Sequence, residues 1–90
     1  MRYRLRILGD AKRSLRLMSP RLAQQAGEII LDLAEEPYPP DAEPLGRELE
    51  GRYRIRVHGW RIIYLVNETD RIVTILTVRQ RDERTYLNLP

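Results

Sequence analysis

The sequence predicts an α+β fold of two layers: an N-terminal strand, a helical hairpin on one face of a four-stranded sheet, then a three-stranded antiparallel meander. Three patterns predict it. Residues 2–8 alternate polar and apolar, residues 22–34 repeat apolar side chains at helical spacing, and residues 52–58 alternate strictly before a His58-Gly59 pair suited to a tight turn. Ninety residues allow one domain, spanning 1–90, with one modest core that buries about two-thirds of the unfolded surface.

Each element has its own local cause. In the first strand Tyr3, Leu5 and Ile7 share one side, the period-two signature of a half-buried strand. Gly9-Asp10 breaks it, and Asp10 is placed to cap a short helix over residues 11–17. Ser19-Pro20 restarts the helix, with serine at the cap and proline in the first turn, where a missing N–H costs nothing. Apolar residues at 22, 23, 26, 29, 30, 33 and 34 carry that long helix to Glu36. Pro37, Pro39, Pro40 and Pro44 forbid continuation and make a stiff connection. Residues 52–58, 60–66 and 72–78 then read as strands, with a second turn at residues 67–70.

Composition narrows the chemistry. The chain has no cysteine and one histidine, so disulfides, thiolate nucleophiles and a two-histidine metal site are excluded, and no cofactor or metal is implied. The alternating start is unlike a signal peptide and no apolar run is long enough for a membrane span, so the expected location is the cytoplasm. Charge is segregated. Residues 28–50 hold eight acidic residues against Arg47 alone, a net −7, which leaves +10 on the rest of a chain whose total is +3. Fifteen of the 16 basic residues are arginine, whose planar guanidinium forks onto phosphate oxygens, so a phosphate-rich partner is expected to meet the basic part. The acidic stretch is expected to face water or a protein partner.

The hairpin turns that expectation into a site. A two-residue turn at His58-Gly59 pairs Val57 with Trp60, Arg56 with Arg61, Ile55 with Ile62 and Arg54 with Ile63. One face then carries Tyr53, Ile55, Val57, Trp60, Ile62 and Tyr64, fit for the helix layer, and the aromatics are read as core. The other carries Arg52, Arg54, Arg56 and Arg61, where the Arg56–Arg61 pairing of like charges asks for a compensating anion. The bland alternative is a solvated face with scattered ion pairs of little worth. His58 is expected at a solvated turn tip, and Tyr86 either pins the C-terminal turn or presents a phenol beside cations. One parity problem stands: an even-numbered second turn puts Arg81 on the apolar side, unless a bulge or an odd loop brings it round.

The segment LEGRYRIRVHGWRIIY at residues 49–64, with the later Arg81 and Tyr86, resembles the RelE/ParE superfamily of type II toxin–antitoxin toxins, and the resemblance spans nearly the whole chain. It implies a four-stranded, mainly antiparallel sheet on a helical hairpin. It also implies, for a RelE-like member, a ribosome-dependent mRNA endoribonuclease that makes a 2′-hydroxyl attack its own neighbouring phosphate. On that reading Arg61 and Arg81 stabilise phosphate charge, Arg52, Arg54 and Arg56 hold RNA backbone, and Tyr86 exchanges a proton. Lysines of the best-known members are arginines here, and arginine is a poor proton shuttle. The implied partners are a cognate antitoxin with a flexible segment, the ribosome and its mRNA, and operator DNA reached through the antitoxin in a higher-order complex. Two alternatives stand beside it: a ParE-like DNA gyrase inhibitor without nuclease activity, and a noncatalytic basic binding module.

Overall fold

The computed structural model describes residues 2–46 and 50–80. Seven elements follow in order: β1 (Arg4–Ile7), α1 (Gly9–Leu17), α2 (Pro20–Leu33), β2 (Glu43–Pro44), β3 (Arg52–Val57), β4 (Trp60–Asn67) and β5 (Ile72–Gln80). The strands form one sheet in the order β1-β5-β4-β3-β2, with β1 parallel to β5 and every other pairing antiparallel. The α+β class stands as expected, but the sheet has five strands rather than four. The fifth, β2, comes from the proline-rich connection and pairs Glu43 with Arg54 and Pro44 with Tyr53. A two-residue strand leaves no periodicity to read, and Pro44 is tolerated because β2 lies on the sheet edge.

The helices form largely for the local reasons the sequence offers. Ser19 caps α2, its hydroxyl accepting from the Leu22 N–H at 3.3 Å, with Pro20 in the first turn. The helix stops at Leu33, three residues short of Glu36. Ala34 N–H turns to the Leu31 carbonyl and Glu35 N–H to the Asp32 carbonyl, a tightened last turn that leaves Glu36 non-helical ahead of Pro37. In α1 the cap position falls on Leu8, which makes no side-chain cap bond. Asp10 lies inside the first turn, where its charge suits the positive helix end, and it accepts a 2.6 Å hydrogen bond from the Thr77 hydroxyl instead of capping.

Both helices cover one face of the sheet. Ala11, Met18, Ala26, Ile30 and Leu33 meet Ile55, Val57, Ile62, Tyr64, Val66, Val73, Ile75 and Val78 in a single apolar core. Tyr64 is fully buried yet keeps its polar tip satisfied, donating to the Pro37 carbonyl at 2.8 Å. That bond ties the proline connection down onto the sheet. Burial away from water pushes the Tyr64 phenol up from its ordinary value.

A second polar group fastens the far end of the sheet. The Glu68 carboxylate accepts from the Tyr3 hydroxyl at 2.7 Å, from the Tyr38 hydroxyl, and from Arg71 Nη1 at 3.4 Å. The Arg71 guanidinium in turn stands 4.2 Å from the centre of the Tyr3 ring. Strand β1, the connection after α2 and the β4–β5 turn thus meet on one carboxylate. The Tyr38 and Tyr3 bonds hold Glu68 below the usual carboxylate range. Burial and the Glu68 bond raise the Tyr38 phenol, and the Glu68 bond chiefly raises that of Tyr3.

The signs give a pH prediction. A lowered carboxylate pKa lends stability above the ordinary value of about 4.3 that is lost as the medium is acidified towards the folded-state value. Raised phenols are lost from the stability balance as pH climbs past about 10. Thermal midpoints recorded against pH should fall on both flanks, and Glu68→Gln should flatten the acid flank while leaving the plateau near pH 7 lower than in the parent. In the core, Ile62→Ala should cost about 2–5 kcal/mol in urea unfolding, since Ile62 is wholly buried between the layers.

Candidate phosphate-binding face

The β3–β4 hairpin closes as its sequence demands. His58 at φ 45 and Gly59 at φ 83 both occupy the left-handed region, which is the condition for the two-residue turn whose twist matches the strands. Val57 pairs with Trp60, Arg56 with Arg61, Ile55 with Ile62, Arg54 with Ile63 and Arg52 with Leu65. Arg52, Arg54, Arg56 and Arg61 therefore share the face turned away from the helices.

The second turn is followed by a bulge. The turn itself is even, pairing Asn67 with Ile72 and Val66 with Val73. Between the pairs Tyr64↔Ile75 and Ile63↔Thr77, however, β5 carries one residue more than β4. That extra residue reverses the alternation of the rest of β5, so Arg79 stands directly opposite Arg61. Arg56, Arg61 and Arg79 make one row across three neighbouring strands, with Cα spacings of about 4.5–5.5 Å expected of such pairs. Arg79 was not picked out from the sequence, because its face depends on a bulge that no local pattern announces. Arg4 and Arg6 of β1, in register with Ile72 and Thr74, extend the same face. Arg81 and Tyr86 lie outside the described residues, as does Leu49 of the motif.

Among the described residues a carboxylate pairs with arginines of this face. Glu43, from edge strand β2, lies 3.2 Å from Arg54 Nη2 and 3.7 Å from Arg56 Nε. The acidic stretch is exposed as expected where it is described, with Asp32, Glu36 and Asp41 around a cavity of about 200 Å³ beside α2 that Arg56 also lines, while the exposed Glu43 in addition pairs with the arginines. That pairing divides the basic residues. Arg54 is the more buried of the two, its side chain 23% exposed against 60% for Arg56, and donates from Nη2 to the carboxylate. Arg61 and Arg79 have no carboxylate within 4.0 Å among the described residues. The signal for Glu43 in the sequence is an acid followed by a proline two residues beyond Asp41, which marks an edge only once the sheet order is known.

At the hairpin end, Arg56, Gly59, Trp60 and Arg61 line a cavity of about 80 Å³. Strand alternation predicts both Trp60 and Tyr64 as core. Tyr64 is, whereas Trp60 is only half-buried and packs against the edge of the core. His58 is exposed at the turn tip. Among the described residues no three histidine, aspartate or glutamate side chains gather as a metal-ligand set, and no helix is long and apolar enough to cross a membrane. Chemically, the described residues of the face offer cations in a line and a carboxylate, Glu43, able to accept a proton or a guanidinium.

Residues 5–85 match the family model described as the ParE toxin of type II toxin–antitoxin system, parDE. Toxin RelG of Mycobacterium tuberculosis is 33% identical over 82 residues, covering 90% of this chain and 93% of that one. A putative RelE-like toxin protein of Escherichia coli is 24% identical over 89 residues, covering 99% and 94%. The toxin–antitoxin complex RelBE2 of M. tuberculosis superimposes with a TM-score of 0.77 at 32% identity over 90% of this chain and 100% of that one. The archaeal RelE–RelB complex of Pyrococcus horikoshii gives 0.80 at 29% identity, over 90% and 97%. The sheet order, the arginine-bearing hairpin and these likenesses agree: the chain belongs to the RelE/ParE family of type II toxin–antitoxin toxins.

Proposed function

We propose that this toxin, as a single domain over residues 1–90, is a ribosome-dependent mRNA endoribonuclease of the RelE kind, acting in the cytoplasm where the ribosome is. The observation that carries the reading is the row Arg56–Arg61–Arg79 on an open sheet face, because three like charges in adjacent strands repel unless an anion lies across them. An RNA backbone is such an anion. Arg52, Arg54 and Arg56 hold its phosphates. Arg61, with Arg79 beside it and Arg81 further along the chain, neutralises the charge that gathers on the phosphorane when the 2′-hydroxyl attacks.

Proton transfer needs other groups, since arginine stays charged up to about pH 12. Tyr86 is proposed to protonate the departing 5′-oxygen or to relieve the 2′-hydroxyl of its proton. Glu43 is the second group able to accept one, and it already sits among the guanidiniums. Self-cleavage by a 2′-hydroxyl calls for no metal or cofactor. The solved complexes of related toxins are with RelB antitoxins, and an antitoxin is proposed here too, with acidic side chains or a displaced helix laid over Arg54, Arg56 and Arg61, and with operator DNA reached through it.

Induction in a bacterial host, followed by mapping of message ends, should show cuts at codons in the ribosomal A site. The Arg61→Ala, Tyr86→Phe double variant should lose them by at least a hundredfold. Intact message with inhibited supercoiling by the purified protein would instead favour a ParE-like gyrase inhibitor, the reading that the ParE description of the matching family model supports. Glu43→Gln should tighten RNA binding severalfold at low salt, since a competitor for Arg54 and Arg56 is removed. In a gel-shift titration against salt its advantage should shrink as salt rises. The cleavage rate of the same variant then assigns the proton: a fall means Glu43 accepts it, an unchanged rate means Tyr86 does.

A further inference from the structure

The geometry points to a nucleobase-stacking subsite at the β3–β4 hairpin end, in which Trp60 supplies the platform and Arg56 and Arg61 hold the phosphate of the same nucleotide. The inference rests on the RNA reading above and names a residue that reading leaves unused. Trp60 pairs with Val57, so strand alternation turns it to the helix side, yet it is only half-buried and lines the 80 Å³ cavity together with Arg56 and Arg61. It can do both because the hairpin ends there. The indole packs against the core and also lines the cavity at the end of the sheet.

Among the described residues the turn leaves an approach: a Cβ built at Gly59 would meet no atom within 4 Å, and His58 is exposed. The cavity is large enough for a phosphate group and too small and shallow to enclose a base. A base would therefore lie over its rim, where the indole is the aromatic group among the described lining residues. Guanidiniums beside an aromatic face also suit the edge of a stacked base. Arg61 has no carboxylate partner among the described residues, so a phosphate takes it without displacing an ion pair.

Trp60 is the sole tryptophan of the chain, so its emission reports on this spot alone. The probe is the deoxy dinucleotide pdApdA, which lacks the 2′-hydroxyl and is not cut, with inorganic phosphate and ribose 5-phosphate as base-free controls. Titrating pdApdA should quench and shift the emission, and both controls should bind more weakly by roughly tenfold with little change in emission. Trp60→Leu should bind pdApdA no better than ribose 5-phosphate in calorimetry, while Trp60→Tyr keeps the preference for the base. Should Trp60→Leu fold poorly by circular dichroism, the parent protein's titrations decide alone. Equal binding of pdApdA and phosphate, or binding with unmoved emission, overturns the stacking subsite and leaves the arginine face intact. Binding of none of the three overturns the subsite and the RNA reading together.

Discussion

The arrangement of this protein depends on one extra residue in β5. Where Ile63 pairs with Thr77 and Tyr64 with Ile75, the antiparallel ladder slips by one, and every side chain of β5 beyond it changes face. On the near side of the bulge, alternation sends Val73 and Ile75 into the core, and beyond it Val78 goes there too. Without the slip, Val78 would stand opposite Arg61 on the open face and Arg79 would turn towards the helices, where a cation has no water. The bulge lets one strand serve a single apolar layer along its whole length and still deliver an arginine to the opposite side.

The charge pattern follows from that geometry and is costly in isolation. Arg56, Arg61 and Arg79 in one row repel, and repulsion between neighbours on adjacent strands destabilises a sheet. Glu43 offsets part of this by lying against Arg54 and Arg56 from the edge strand. The pairs are partly exposed, so each contributes little by itself, and an arriving polyanion can replace them at small cost. A basic face partly offset by its own edge strand is compatible with folding before a partner is met. It remains open to a ligand at Arg61 and Arg79.

Rigidity is supplied elsewhere. The Tyr64 hydroxyl on the Pro37 carbonyl and the gathering of Tyr3, Tyr38 and Arg71 on Glu68 anchor the proline connection and the N-terminal strand to the sheet. Tyr53 stacks on Tyr64 and meets Tyr38 edge-on, with ring centres 5.7 Å and 5.3 Å apart, linking the two anchors through aromatic contact. The connection that carries Glu43 is thereby held close to β3, and the position of that carboxylate is a consequence of groups on the other side of the sheet.

Local chemistry made much of this legible from residues alone. His58-Gly59 dictates a turn because both positions must take positive φ. Ser19-Pro20 dictates a helix start because each satisfies or dispenses with an orphan N–H, and the strict alternation of residues 52–58 separates arginines from core without reference to anything distant. Tertiary structure decided what depends on pairings between remote segments: the bulge that brings Arg79 to Arg61, the edge strand that brings Glu43 to Arg54 and Arg56, the parallel placement of β1, and the turning of Asp10 from cap to Thr77 acceptor. The division has a physical reason. Turns, caps and alternation are set by sterics and hydrogen bonds within a few residues, whereas register between strands is set by whichever alignment buries the whole apolar layer, and that sum exists only once the chain has folded.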